Sequence, residues 1–454
     1  MVAVLLGGNL MIERIQELLE QKKYLAIREE LIHMNEVDIA ETLEEIDITN
    51  ALILFRMLPK DVAVDVFSNF PGDKQKEIIN CITDKEIRYI IDELYFDDMI
   101  DLLEEMPANI VKKIIKNSKE DERRLINEFL NYPPDSAGSL MTIEYVDFRK
   151  EMTVREALAH IKQTGLDKET VYTCYVTDAN RKLEGIISLR KLVISDEDSI
   201  IGDIMNSDVI YVNTHDDQET AATVFKRYGF LALPVVDKEQ RLTGIITVDD
   251  IMDVIDQETT EDFQKMAAMS PTEEKYLDAN VFELAKHRIL WLLVLMISAT
   301  FTGNIIRKYD EVLQSVVLLA SFIPMLMDTG GNAGSQSSTL VIRGLALGDI
   351  ELKDAGKVVW KEFRISIIVG ITLSIVNFLR IWLLEKVDIS IALTVSITLL
   401  FTIILSKMIG GLLPIAAKKV KIDPAIMAGP LITTIVDAMS LLVYFAVATR
   451  LLNI

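Results

Sequence analysis

Cysteine and histidine are scarce in this 454-residue chain, and bases are scarce in its first two thirds. The two cysteines, Cys81 and Cys174, lie far apart with no CxxC spacing, which excludes a disulfide framework and fits a reducing cytosol. The four histidines (His33, His160, His215 and His287) are scattered. No nucleophile–base arrangement or phosphate-binding loop accompanies them, so no catalytic residue is assigned and the chain does not read as an enzyme. The opening MVAVLLGGNL has no basic n-region and is too short for a signal peptide. The helical pattern starts at Met11, which reads as an alternative start to Met1.

The formal net charge is −22, and it is unevenly spread. From Lys286 onward, 16 Lys and Arg face 11 Asp and Glu; the residues before it hold 31 bases against 58 acids. The front part therefore reads as a large acidic soluble assembly, long enough for two domains. Such a surface disfavours nucleic acid and anionic lipid and favours cations, although plain solubility also accounts for it.

The remainder contains five apolar runs, approximately 289–306, 312–327, 365–384, 389–409 and 425–451. Connections after the second and fourth runs carry Arg343, Lys353, Lys357, Lys361 and Arg364, and Lys418, Lys419 and Lys421. The opposite connections hold only Arg307 with Lys308, and Lys386. Positive loops face the cytosol, so the acidic half is placed inside and the C-terminus outside. The second run leads into DTGGNAGSQSSTLVIRGLALG (328–348), rich in glycine, hydroxyl and amide groups. Polar sequence at membrane depth lines water or is buried in protein, and small residues also let helices approach. Gly330, Gly331 and Gly334 suit packing, while Asn332, Ser335 and Gln336 suit a lumen.

In the fifth run a single acid, Asp437, follows Gly429–Pro430 and two threonines, Thr433 and Thr434. An acid in hydrocarbon costs roughly 2.5–3.5 kcal/mol even on the gentler scales, so it normally faces a protein interior or a water-filled path. The residue set suits a route for a hard cation. The competing reading pairs Asp437 with intramembrane Lys407.

The front part is built from repeats. DVAVDVFSNFP (61–71) and DDMIDLLEEMP (97–107) share an acid, an apolar i/i+3/i+4 spacing and a closing proline, which predicts stacked helical hairpins. Further on, 141–193 and 205–252 follow one plan anchored by EGIISLRKL and TGIITVDDI, a small α/β unit used twice.

These motifs carry a resemblance over nearly the whole chain from Met11. The GIITVDD unit and its partner resemble a tandem CBS pair. With YPPDSAGSLMT, PMLMDTGGNAGSQSSTLVIRGLALG and DPAIMAGPLITTIVDAMSLLVYF, the order of parts resembles the MgtE family of magnesium transporters. The resemblance implies a multi-domain membrane protein with four parts. An all-α helical-repeat N domain spans 11–132. An α/β tandem CBS pair spans 133–253, with halves near 139–200 and 201–253. A connecting helix spans 254–284, and a five-helix transmembrane domain spans 285–454.

It further implies a homodimer in the cell membrane whose Mg²⁺-selective pore follows the dimer axis and closes when cytosolic Mg²⁺ is high. Asp437, Asn332, Ala428, Gly429 and Thr433 would supply oxygens to the path, with Asp423 at the cytosolic mouth, where a helix cap ahead of Pro424 is an equally good reading. Regulatory Mg²⁺ would bind Asp250, Asp253, Glu258, Glu261 and Asp262, with Asp217, Glu219 and Asp97 or Asp98. Thr247 and Asp250 keep a TxxD pattern suited to a ribose, so ATP is a further ligand the resemblance allows, with Phe230 nearby. Two positions depart from the family pattern: Lys191 stands for an aspartate after the first CBS strand, and Gly229 for one before the LPVVD stretch. Two other readings stay open: a less selective Co²⁺ or Mn²⁺ transporter, since hard oxygens do not separate these ions, and a membrane-tethered CBS sensor without transport.

Overall fold

The computed structural model describes residues 11–453 apart from 13, 273–275 and 278, and the chain divides into two compact units, one up to Val254 and one from Ile255. After a helical stretch over 14–20, the described residues of the first unit form nine further short helices: α1 (Tyr24–Leu31), α2 (Glu36–Glu44), α3 (Ile48–Phe55), α4 (Lys60–Ser68), α5 (Gly72–Cys81), α6 (Asp84–Glu93), α7 (Phe96–Glu105), α8 (Ala108–Asn117) and α9 (Glu120–Phe129). Their starts are written locally. Asn35, Asp47 and Thr83 accept backbone hydrogen bonds as N-caps, and Pro59, Pro71 and Pro107 precede α4, α5 and α8. Each helix packs on the one two places further along, giving the stacked repeat that the sequence predicts.

The CBS pair repeats one small sheet. Strand β1 (Asp147–Phe148) runs parallel to β2 (Thr173–Thr177), which pairs antiparallel with β3 (Leu183–Ser188). Strands β4 (Val212–Asn213), β5 (Ala232–Val236) and β6 (Leu242–Thr247) copy that order, with a register shift at the same step, 176/177 and 235/236. Helices α10 (Val154–Thr164), α11 (Leu189–Ile194), α12 (Ile201–Ile204) and α13 (Gln218–Tyr228) complete the two halves.

The halves exchange their leading segments. Thr142, ahead of the first half, trades both backbone hydrogen bonds with Ile245 of β6, and Asn206, ahead of the second, does the same with Ile186 of β3. At Gly244 a Cβ would strike Met141, and at Gly185 it would strike Met205. Fully buried Tyr175, Ile245 and Leu242 share the core between the halves.

Helix α14 (Val248–Met266) begins in the first unit and ends in the second. Among the described residues, the helix expected over 254–284 ends at Met266, and helix resumes at Val281. Ala268 takes a left-handed φ of 54°, Pro271 follows, and the Gln264 amide clasps the backbone of Thr272, all of which oppose continuation.

The second unit contains α15 (Val281–Lys308), a short α16 (Asp310–Ser315), α17 (Leu319–Ala346), α18 (Ala355–Leu379), α19 (Ile389–Lys419) and α20 (Gly429–Leu452). Among the described residues four segments are long and apolar enough to cross a membrane: Val281–Lys308, Leu352–Leu384, Ile389–Lys419 and Pro424–Leu452. Helix α17 is the fifth long one, 28 residues, with its second half polar. The apolar run expected from 312 is interrupted at Val316, where the backbone leaves the helix, and the polar-glycine stretch is itself helical.

Helices α17, α19 and α20 form the packed centre, and the small residues make that possible. A Cβ on Gly410 of α19 would fall on the carbonyl oxygen of Gly334 in α17, and one on Gly330 would lie 2.7 Å from Thr402 Cγ2. Gly303 of α15, by contrast, has open space where a Cβ would go. Gly410→Ala is therefore expected to destabilise the protein by about 1–3 kcal/mol through overpacking. Gly303→Ala is expected to be neutral or to stabilise by up to about 1 kcal/mol through helix propensity. Thermal unfolding of the detergent-solubilised variants reads both signs.

Candidate cation sites

In the first unit the N-terminus of α7, a loop of the first CBS half and the start of α14 bring carboxylates together. Asp97 is buried, and its acidity is weakened well beyond the ordinary range, first by burial and then by Asp250 and Asp98. Burial followed by Asp250 and Asp249 lifts Asp98 to about 6. Glu169 rises to about 7 from burial, then Asp249, Asp250 and Asp98. Asp250 reaches about 6 chiefly through burial, against a hydrogen bond from the Thr247 hydroxyl at 2.5 Å. Each of these shifts marks a carboxylate surrounded by others. Glu169 Oε2 is buried without a hydrogen-bond partner, and Glu144 accepts from the Phe96 backbone N–H at 3.3 Å.

The expected residues Asp97, Asp98 and Asp250 thus do meet, and Asp253 acts on Asp250 from the next turn of α14. Glu144 and Glu169 join them without having been foreseen. Both lie in the first α/β repeat but outside its EGIISLRKL anchor and outside the acidic run from Asp249, so only the fold brings them in. Asp217 and Glu219 stand elsewhere, at the start of α13, where Asp217 Oδ1 accepts the Glu219 N–H at 2.9 Å as an N-cap. Phe230 stacks on Tyr228 with ring centroids 5.4 Å apart. The departure at Gly229 has a physical reason: it ends α13 with a left-handed φ of 64°, a position that suits glycine. Lys191 lies in the first turn of α11, capped by Ser188.

A second cluster lies within the second unit, where the end of α14 meets the segment before α20. Lys265 Nζ is 2.6 Å from Asp423 Oδ2 and 2.7 Å from Glu261 Oε1. Asp423 also accepts the Ala425 N–H at 2.8 Å, so it is both the cap and half of an ion pair. Asp262 stands beside them, lifted to about 6 by burial and then by Asp423, with Lys265 opposing and Glu258 and Glu261 adding.

The third group lies within the membrane helices. Asp437 is half-buried on α20, and a charge acting on it is another acid, Asp328 of α17. Among the described residues no base pairs with Asp437. The competing expectation is corrected here: Lys407 points to Gln336 and Ser337, at 3.4 and 3.5 Å, and not to Asp437. Thr433 and Thr434 both donate to the Pro430 carbonyl, which fixes their hydroxyls and leaves oxygen lone pairs outward. Gly429 holds a left-handed φ of 42°, and Ala428 before it is extended and buried. Asn332 is exposed on α17, one face of which also carries Asp328, Ser335, Gln336 and Thr339.

Among the described residues no three His, Cys, Asp or Glu side chains converge as direct ligands of one ion would. Carboxylates spaced in this way suit a cation that keeps its hydration shell better than one that is stripped of it.

Comparison with known proteins gives this arrangement a family. Residues 323–447 match the MgtE divalent cation transporter profile, 34–135 the MgtE intracellular N domain, and 137–196 and 201–257 the CBS domain. The magnesium transporter MgtE of Thermus thermophilus is 35% identical over 450 residues, covering 97% of this chain and 98% of that protein. Its namesake in Bacillus subtilis is 32% identical over 443 residues, covering 98% of each. Among solved structures, the soluble part of a magnesium transporter is 32% identical with a TM-score of 0.52, over 55% of this chain and 99% of that one. The cytosolic domain of the Mg²⁺ channel MgtE in complex with ATP is 36% identical with a TM-score of 0.50, over 53% and 98%. At these identities over nearly its full length, this chain belongs to the MgtE family of divalent cation transporters.

Proposed function

We propose that this chain is a Mg²⁺-selective channel for Mg²⁺ uptake, working as a homodimer in the cell membrane with its acidic domains in the cytosol and its C-terminus outside. The observation that carries the reading is Asp437, a membrane-depth acid with no base beside it, next to the exposed polar face of α17. Two copies across a dimer axis would form a small acidic ring suited to a hydrated divalent ion. Asn332, Thr433 and the backbone at Ala428 and Gly429 would add oxygens, and Asp423 would stand at the cytosolic entrance. Full-length likeness to proteins named magnesium transporters supports the choice of ion.

Cytosolic Mg²⁺ is the natural regulator in this reading. It would bind where Asp97, Asp98, Asp250 and Asp253 gather and along Glu258, Glu261 and Asp262, with Asp217 and Glu219 as a further pair. Binding one state better than the other is what lets an ion shift a gate. ATP is a second ligand of the CBS pair through Thr247, Asp250 and Phe230, supported by the ATP complex named for the solved relative. The Thr247 hydroxyl, already tied to Asp250, would then be shared with a ribose.

Replacing Asp437 with Ala is expected to abolish Mg²⁺ uptake while leaving membrane insertion intact. The assay is Mg²⁺-dependent growth of cells lacking their own Mg²⁺ transport, and normal growth on the variant would overturn the pore assignment. Co²⁺ and Mn²⁺ uptake in the same cells measures selectivity.

The acid cluster predicts a pH dependence. Asp98, Glu169 and Asp250 hold their protons to higher pH when folded than when unfolded. The native state therefore binds more protons between about pH 4 and 7, and metal-free stability should fall as pH rises through that window. The slope is roughly 1 kcal/mol per pH unit for each such acid at its steepest. Added millimolar Mg²⁺ should stabilise more at pH 8 than at pH 5. Thermal unfolding of the full chain in detergent, with EDTA and with Mg²⁺, tests both, and the double variant Asp98→Asn, Glu169→Gln should flatten the EDTA profile.

A further inference from the structure

Three helices of the second unit, α17, α18 and α19, meet around a cavity of about 770 Å³ whose lining includes Asn332, Ser335, Gln336, Ser337, Glu362 and Lys407. Two of these are charged and almost wholly buried: Glu362 is 7% exposed and Lys407 5%. Ser337 joins them. Its hydroxyl donates to Glu362 Oε2 at 2.6 Å, and its oxygen accepts from Lys407 Nζ at 3.5 Å. Lys407 donates as well to Gln336 Oε1 at 3.4 Å. An acid, a hydroxyl and a base from three different helices thus form one chain at membrane depth.

Tying helices together needs no charge; neutral hydrogen-bonding groups of the same length would serve. A buried charge is tolerated when an opposite one balances it, and removing either partner exposes the field of the other. That field is strong where the dielectric is low. Here it falls on the wall that presents Asn332, one turn from Ser335 and Gln336. We infer that Glu362 and Lys407 are a charge-balanced pair that sets the affinity of this wall for a passing divalent cation, which makes both specificity-determining residues. The inference rests on the conduction reading given above.

The test measures Mg²⁺ uptake by the full-length protein in proteoliposomes as a function of Mg²⁺ concentration. Lys407→Gln leaves Glu362 unbalanced and should lower the half-saturating Mg²⁺ concentration about five- to tenfold. Glu362→Gln leaves Lys407 unbalanced and should raise it by a similar factor. The double variant E362Q/K407Q should return to within about twofold of the unchanged protein, as expected for two groups of opposite charge in one hydrogen-bonded network. Lys407→Arg, which keeps the charge, should stay near the unchanged value. Lys407→Met, apolar and of similar length, repeats the neutral test should the glutamine variant fail to insert. A purely structural role would move all single variants the same way, mostly in maximal rate, with the double variant no better than either. That pattern, or shifts of one sign, overturns the inference while leaving the channel reading intact. Absence of Mg²⁺ uptake by the unchanged protein overturns the channel reading instead.

Discussion

Carboxylates crowded together with too few bases are the constraint on which this molecule turns. A buried acid must be balanced, hydrogen-bonded or kept protonated, and the two units meet that demand differently. In the first unit Asp97, Asp98, Glu169 and Asp250 gather with Asp249 close by, and burial together with these like charges weakens the acidity of the four. In the second, lysines are assigned one by one: Lys265 to Asp423 and Glu261, Lys407 through Ser337 to Glu362. Asp437 differs: among the described residues no base pairs with it, and the charge that acts on it is a second acid, Asp328. Two acids left without a base are what the proposed cation path requires.

Much of the fold was legible because its signals are local. Short helices announce themselves by Asn35, Asp47, Thr83 and a series of prolines, and the CBS halves by two copies of a Gly-Ile-Ile strand. Asp437 was legible for the same kind of reason, as one acid in an apolar segment. What composition could not place was anything depending on distant partners. Glu144 and Glu169 enter the acid cluster only because the first CBS half folds against α7. Lys407 was a plausible mate for Asp437 by hydropathy alone, yet with α19 packed on α17 at Gly334 and Gly410 it meets Gln336 and Ser337, and reaches Glu362 only through Ser337. The end of α14 was missed because Ala268, an ordinary helix former, adopts a left-handed conformation that its identity does not announce.

The polar helix α17 shows how one segment satisfies opposite demands. Its glycines let α19 and α20 approach, and its Ser337 and Ser338 hydroxyls are spent on Glu362 and the Met427 carbonyl. Asp328, Asn332 and Gln336 are left on an exposed face. The division follows helical geometry: residues three and four apart share a face, so one repeat of small groups and another of polar groups can run side by side without competing.

The exchange between the CBS halves has a consequence for how the pair behaves mechanically. Because Thr142 completes the sheet of the second half and Asn206 that of the first, neither half is closed without its sibling. Strain entering one sheet is delivered to the other through backbone hydrogen bonds rather than through side chains that can rotate away. The pair is in this sense a single stiff part, more like a clasp than two beads on a string. Neither half can be removed without opening the sheet of the other.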